Sequence, residues 1–195
     1  MAIHFRKREH GVDELFLNRW SPRAMSGKSI ESDLLTSLFE AARWAPSSSN
    51  NQPWRFLYAC RGTEYWPLFL DLLAEGNRVW AHRAAVLVVA VSKTTFDFNG
   101  KPARTHSFDS GAAWENLALQ GSLLGLVVHG MQGFDYDRAR ELLLIPAGFQ
   151  VEAMIAVGKP GEKNLLPPNL QGREFPSPRK PLAEIVCEGP FPWAD

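Results

Sequence analysis

The chain has 195 residues, 45% of them apolar and 22% charged, which suits one globular domain with a substantial core. Lysine plus arginine equals aspartate plus glutamate at 21 each, so the formal net charge is zero. That balance supplies no drive toward nucleic acid or an anionic membrane, and it sets no charge barrier against self-association. No apolar stretch is long enough to span a bilayer, and Met1 to Glu9 lacks the apolar middle of a signal peptide. Cys60 and Cys187 have neither CxxC spacing nor a histidine cluster beside them. Reduced thiols, no metal site and a cytoplasmic location are therefore expected.

The first amphipathic segment runs from about Val12 to Arg19. A polar turn follows, with Ser29 as the expected N-cap of a helix over Ile30 to Ala45, which Pro46 stops. Trp54 to Cys60 reads as a strand and Glu64 to Glu75 as one helix. Ala84 to Val91 is a continuous apolar run, the pattern of a strand buried on both faces. Asn99-Gly100 marks a turn, and Ser107 to Leu124 reads as a central helix, apolar nearly all round. Val127 and Val128 lead into a glycine-containing segment, His129 to Gly133. Asp135 caps a short helix ending near Leu144, and Val151 to Val157 is a further buried strand. Residues 159–195 form an extended tail rich in proline and polar residues, with a last strand predicted over Leu182 to Cys187. A structureless tail of that length in a compact domain is expected to wrap a partner or carry binding residues. The fold class is α+β: a central mixed sheet of about four to five strands flanked by helices, forming one domain over the whole chain.

Standard devices for chemistry are missing. No G-x-G-x-x-G follows a strand, and there is no Walker A loop and no zinc spacing. His106, Ser107 and Asp109 are too close in sequence to form a triad. Two segments stand apart. Arg19-Trp20-Ser21-Pro22-Arg23 sets two arginines around a serine just past a helix end, which suits an oxyanion; a solvated turn is the competing account. Ala45 to Trp54 packs hydroxyl and amide side chains between prolines, which suits the edge of a planar polar ring; an unliganded polar loop is the alternative. Of the seven tryptophans, Trp54 and Trp114 sit in apolar patterns and are expected in the core. Core packing is also the default for Trp20, Trp80 and Trp193, with the border of a bound ring as the alternative.

Taken in order, these segments resemble the nitroreductase family. The resemblance rests on Arg19, Ser21 and Arg23, then on Ala45-Pro46-Ser47-Ser48, Asn50 and Gln52-Pro53-Trp54. It continues through Asp109 to Leu117, His129 to Asp135, Ile155 to Gly161 and Arg179-Lys180-Pro181-Leu182, and so spans nearly the whole chain. It implies FMN at the interface of an intertwined homodimer, with NAD(P)H as co-substrate and a small electron acceptor. By the same resemblance Arg19, Ser21 and Arg179 hold the phosphate and ribityl chain, with the backbone of Trp20. Arg23 lies near the N1–C2 carbonyl edge and tunes the flavin. Ser47, Ser48 and Asn50 of the other subunit line the ring and ribityl chain, and His129, Gly130 and Met131 lie against the ring. Asn77 matches a residue near the pyrimidine edge. The expected activity is a ping-pong reductase of nitroaromatics, quinones or similar acceptors. A flavin-binding module, or another flavin reaction such as dehalogenation, is the alternative. No residue stands out as general acid, and His129 is expected to be a hydrogen-bonding wall. Two departures are visible: the connection from Ser92 to Thr105 is short, and tryptophan follows Arg19 where a second basic residue is frequent.

Overall fold

The computed structural model describes residues 6–193. Four strands form one sheet: β1 (Trp54–Cys60), β2 (Val86–Lys93), β3 (Val127–Met131) and β4 (Phe149–Gly158), in the order β1-β2-β4-β3. The helices are α1 (Glu14–Asn18), α2 (Ser32–Arg43), α3 (Trp66–Leu70), α4 (Glu75–Ala81), α5 (His106–Leu123), α6 (Tyr136–Leu142) and α7 (Pro168–Gln171).

Alternation along β2 builds the core. Val86, Val88 and Ala90 face one way and pack with Leu35, Leu38 and Ala42 of α2 and Ala113 and Leu117 of α5. Leu87, Val89 and Val91 face the other way, against Trp66 and Phe69 of α3 and Trp80 of α4. The strand is thus buried on both faces, as its unbroken apolar run requires. On the α5 side the approach is close: a Cβ on Gly121 would lie 2.4 Å from Val128 Cγ2, so only glycine lets helix and sheet meet there.

Several expectations change. The sheet is antiparallel at every pairing rather than mixed. The connection from β1 to β2 holds α3 and α4, and that from β3 to β4 holds α6, helices of 5, 7 and 7 residues. Both connections return the chain to the end of the sheet it left, so the strands they join run antiparallel. The helix expected over Glu64 to Glu75 shortens to α3 (Trp66–Leu70), with Leu72 and Leu73 buried in the core and Leu73 bridging Phe134, and α4, which was not expected, begins only at Glu75. Glu31, not Ser29, precedes α2, and it makes no side-chain cap. The segment after Val128 continues as strand β3 through Met131. Leu182–Glu184 is a single 3-10 turn where a strand was expected. Asp135 does cap α6, accepting from the Arg138 N–H at 2.9 Å. Cys60 and Cys187 are both free.

Candidate functional site

Arg19 ends α1 and turns the chain into extended backbone. The segment that follows lines a cleft of about 370 Å³ with Arg6, Arg19, Trp20, Ser21, Arg23, His129, Arg173, Phe175 and Ser177. Four of those residues are arginines, in a protein of zero net charge. Their guanidiniums are unequally engaged. Arg19 pairs with Glu115 of α5 at 3.3 Å and reaches Ser21 Oγ at 3.5 Å. Arg6 donates to the carbonyls of Leu17, Arg19 and Ser177 at 2.9, 2.5 and 2.9 Å, tying the α1 end to the tail. Burial, then the charges of Arg179 and Arg19, hold the Arg6 pKa below its ordinary value. Arg179 therefore lies within electrostatic reach of this cluster, with its own guanidinium on Ser177 and Pro178. The side chains of Arg23 and Arg173 make no hydrogen bond or ion pair among the described residues. Unneutralised cations gathered in one cleft favour a ligand that brings negative charge.

Strand alternation decides where the three consecutive β3 residues point. His129 shares the face of Val127 and Met131 and packs against Trp80, with ring centroids 4.6 Å apart and the planes tilted by 47°. Its Nδ1 lies 2.8 Å from the Pro22 carbonyl. A carbonyl only accepts, so Nδ1 carries the proton and Nε2 holds a lone pair. Burial lowers the imidazole pKa and leaves the ring neutral at physiological pH. Gly130 points the other way: a Cβ there would be 3.1 Å from Trp114 Cζ2, so its lack of a side chain lets α5 pack. The Met131 side chain is buried in the core. Of this trio only His129 lines the arginine cleft.

The serine and amide loop is strained. Ser49, Asn50 and Gln52 all adopt positive φ, at 51°, 52° and 48°. Left-handed backbone at non-glycine residues costs about 1–3 kcal/mol each and persists only where neighbours enforce it. The neighbours are visible. Asp109 Oδ2 accepts the Ser48 N–H at 3.0 Å, and Ser47 Oγ accepts the Gln52 N–H at 3.0 Å. Asn51 donates to the Thr95 carbonyl at 3.2 Å and accepts the Asp97 N–H at 2.9 Å. The side chains of Ser48 and Asn50 make no hydrogen bond among the described residues. Asn51 therefore serves as scaffold, while Ser48 and Asn50 are left available to a ligand. The loop borders a separate cleft, also about 370 Å³, with Arg55, Asp97 and Phe98. It shares no lining residue with the arginine cleft.

Sequence reasoning missed Arg6, Arg173, Glu174 and Asp109 as parts of this machinery. Arg6 and Arg173 offset the tryptophan after Arg19, but neither stands in a motif, so only the fold brings them there. Glu174 Oε1 accepts both the Arg23 and Ala24 N–H groups at 2.8 Å and fixes the tail beneath the cleft. Asn77 donates to the Gly133 carbonyl at 3.0 Å. His106, Ser107 and Asp109 form no triad. The register slips between Ala90 and Val91, leaving Glu152 as the extra residue of a bulge. That carboxylate meets Ser92 and Ser107, while His106 Nδ1 lies 2.7 Å from Ser92 Oγ. Among the described residues no His, Cys, Asp and Glu group could hold a metal, and no helix is long and apolar enough to cross a membrane.

The family model for nitroreductases matches residues 17–159, from the end of α1 through β4. The chain belongs to the nitroreductase family. An NADH dehydrogenase of Thermus thermophilus is 28% identical over 202 residues, covering 87% of this chain and 92% of that one. A solved structure of an oxidoreductase containing FMN is 49% identical and covers 98% of both chains, with a TM-score of 0.93. A structure from Desulfovibrio desulfuricans, solved in complex with FMN, is 27% identical with a TM-score of 0.71 and covers 92% of this chain and 96% of that one.

Proposed function

We propose that this nitroreductase-family chain is an FMN-dependent NAD(P)H oxidoreductase that works as a homodimer on small acceptors such as nitroaromatics or quinones. The observation that carries the proposal is the arginine cleft beside His129, with Arg23 and Arg173 unpaired among the described residues. Those residues fit FMN, whose phosphate brings about two negative charges at neutral pH. Arg6, Arg19, Ser21, Arg173 and Arg179 would hold the phosphate end. Arg23 would favour negative charge on the ring, and His129 would offer Nε2 as an acceptor. Ser48 and Asn50 of a second copy would supply donors to the ring edge. When bound, FMN supplies two-electron chemistry, taking hydride from NAD(P)H and passing it to the acceptor in a ping-pong cycle. Glu174 and Arg6 keep the tail against the cleft, so that the cations stay fixed before a ligand arrives.

The first test is the visible spectrum of the purified protein, taken anaerobically before and after NADPH and then NADH. A flavin band that bleaches and returns with a nitro or quinone acceptor is the expected result and names the donor. A colourless protein that FMN cannot reconstitute overturns the proposal. Initial rates at several acceptor concentrations should give parallel double-reciprocal lines; intersecting lines rule out the ping-pong cycle.

A further inference from the structure

We infer that Asp109 is a positioning residue for the cofactor, the anchor that holds the strained Ser47–Gln52 loop in the shape that displays Ser48 and Asn50. The inference rests on the FMN-binding role proposed above for that loop.

Asp109 stands in the first turn of α5, where the helix N-terminus favours a carboxylate. It is only 6% exposed, so it does not serve as a solvated surface charge. Its Oδ2 accepts the backbone N–H of Ser48 at 3.0 Å and is reached by Thr105 Oγ1 at 3.4 Å. The Ser48 N–H precedes the first of the three left-handed residues. Backbone held in that region without glycine relaxes unless something outside the loop fixes it. Two outside anchors are present. Asn51 clips the loop to Thr95 and Asp97, and Asp109 clips it to α5. The Asp109 contact bonds a main-chain group, so it leaves the Ser48 hydroxyl and the Asn50 amide free for a ligand. Because α5 is packed on the sheet through Ala113, Leu117 and Gly121, Asp109 ties the loop to a helix anchored in the core.

The test compares the wild-type holoenzyme with Asp109→Ala and Asp109→Asn. FMN affinity is read by fluorescence quenching on the deflavinated proteins, and ring environment by visible circular dichroism. Asp109→Ala should bind FMN about 10-fold more weakly with an altered dichroic band, since a hydrogen bond to a charged group contributes on that scale. Asp109→Asn keeps an acceptor oxygen and should restore affinity to within about threefold and recover the band. A folded Asp109→Ala that binds FMN as wild type does overturns the anchor while leaving the FMN assignment intact. Should Asp109→Ala fail to fold, or wild type bind no FMN, amide exchange of the wild-type apoprotein decides. The Ser48 N–H should exchange at least about 10-fold more slowly than the Ser49 N–H; equal rates overturn the anchor.

Discussion

Arg23 and His129 meet in one cleft and do different work. The Arg23 guanidinium makes no hydrogen bond or ion pair among the described residues, so its charge is available to whatever the cleft holds. A cation beside the flavin ring stabilises the reduced, more negative form. Interactions with charged groups contribute about 1.5–3 kcal/mol, and about 1.4 kcal/mol corresponds to 30 mV for a two-electron couple. Arg23→Gln should therefore lower the two-electron potential by about 30–60 mV in a dye-equilibrated anaerobic titration. An unchanged potential would remove Arg23 as the tuning residue. His129 is the opposite case, a buried imidazole kept neutral chiefly by desolvation. In the unfolded chain it takes a proton near pH 6.5, while in the fold it stays neutral to lower pH. The unfolded state then binds more protons, so stability is complete above about pH 6.5 and declines as pH falls toward the folded value. His129→Gln should flatten that part of the acid limb of thermal stability against pH. Its turnover should fall far less than the about 100-fold expected for loss of a general acid, because the Nδ1 proton is committed to Pro22.

Elements were legible where periodicity was strong and local. β1 falls on the expected residues, and α5 begins one residue before the expected start. Legibility failed where tertiary contact overrode the local pattern: the expected Glu64–Glu75 helix ends at Leu70, ahead of the Leu73 bridge to Phe134, and connections that return the chain to the same end made the sheet antiparallel. The site shows the same division. Arg19, Ser21 and Arg23 are readable because they stand two residues apart in a motif. Arg6 and Arg173 reach the same cleft from distant segments that carry no pattern of their own. Two predictions belong to this scale. Arg6 joins the α1 end to Ser177, so Arg6→Ala should free the tail. Cleavage near residue 177 should accelerate in limited proteolysis, and FMN affinity should fall by about 10-fold; an unchanged digestion pattern would show that the tie is dispensable. Gly121 lets Val128 approach α5, so Gly121→Ala forces overpacking of about 1–3 kcal/mol. At about 2–4 °C per kcal/mol for a chain of this size, a calorimetric shift under 1 °C would mean that helix and sheet separate freely.

At the scale of the molecule, the two halves of the proposed site do not meet within one copy. The arginine cleft lies by β3, and the Ser47–Gln52 loop leads into β1, at opposite edges of the sheet. Three strand spacings separate those edges, about 14 Å. Trp54 is level with Gln150 through Ser92, whereas His129 is level with Ala156, a further offset of about 20 Å along β4. A second copy closes that gap if its loop reaches the first copy's cleft. The surface to carry such an assembly is present on α5, where Phe108, Ala112, Leu119 and Leu123 share one stripe at helical spacing. Phe108 and Leu123 are 80% and 66% exposed, unusual for large apolar residues on a helix otherwise packed in the core. Zero net charge leaves nothing to oppose burying that stripe against its own copy. Sedimentation should therefore give a species of about twice 21.8 kDa. Phe108→Asp should shift it toward monomer and release FMN in the same concentration range, because the ring donors and the phosphate cations then part company. A variant that becomes monomeric yet keeps wild-type FMN affinity would show that one chain completes the site and that the loop serves something else.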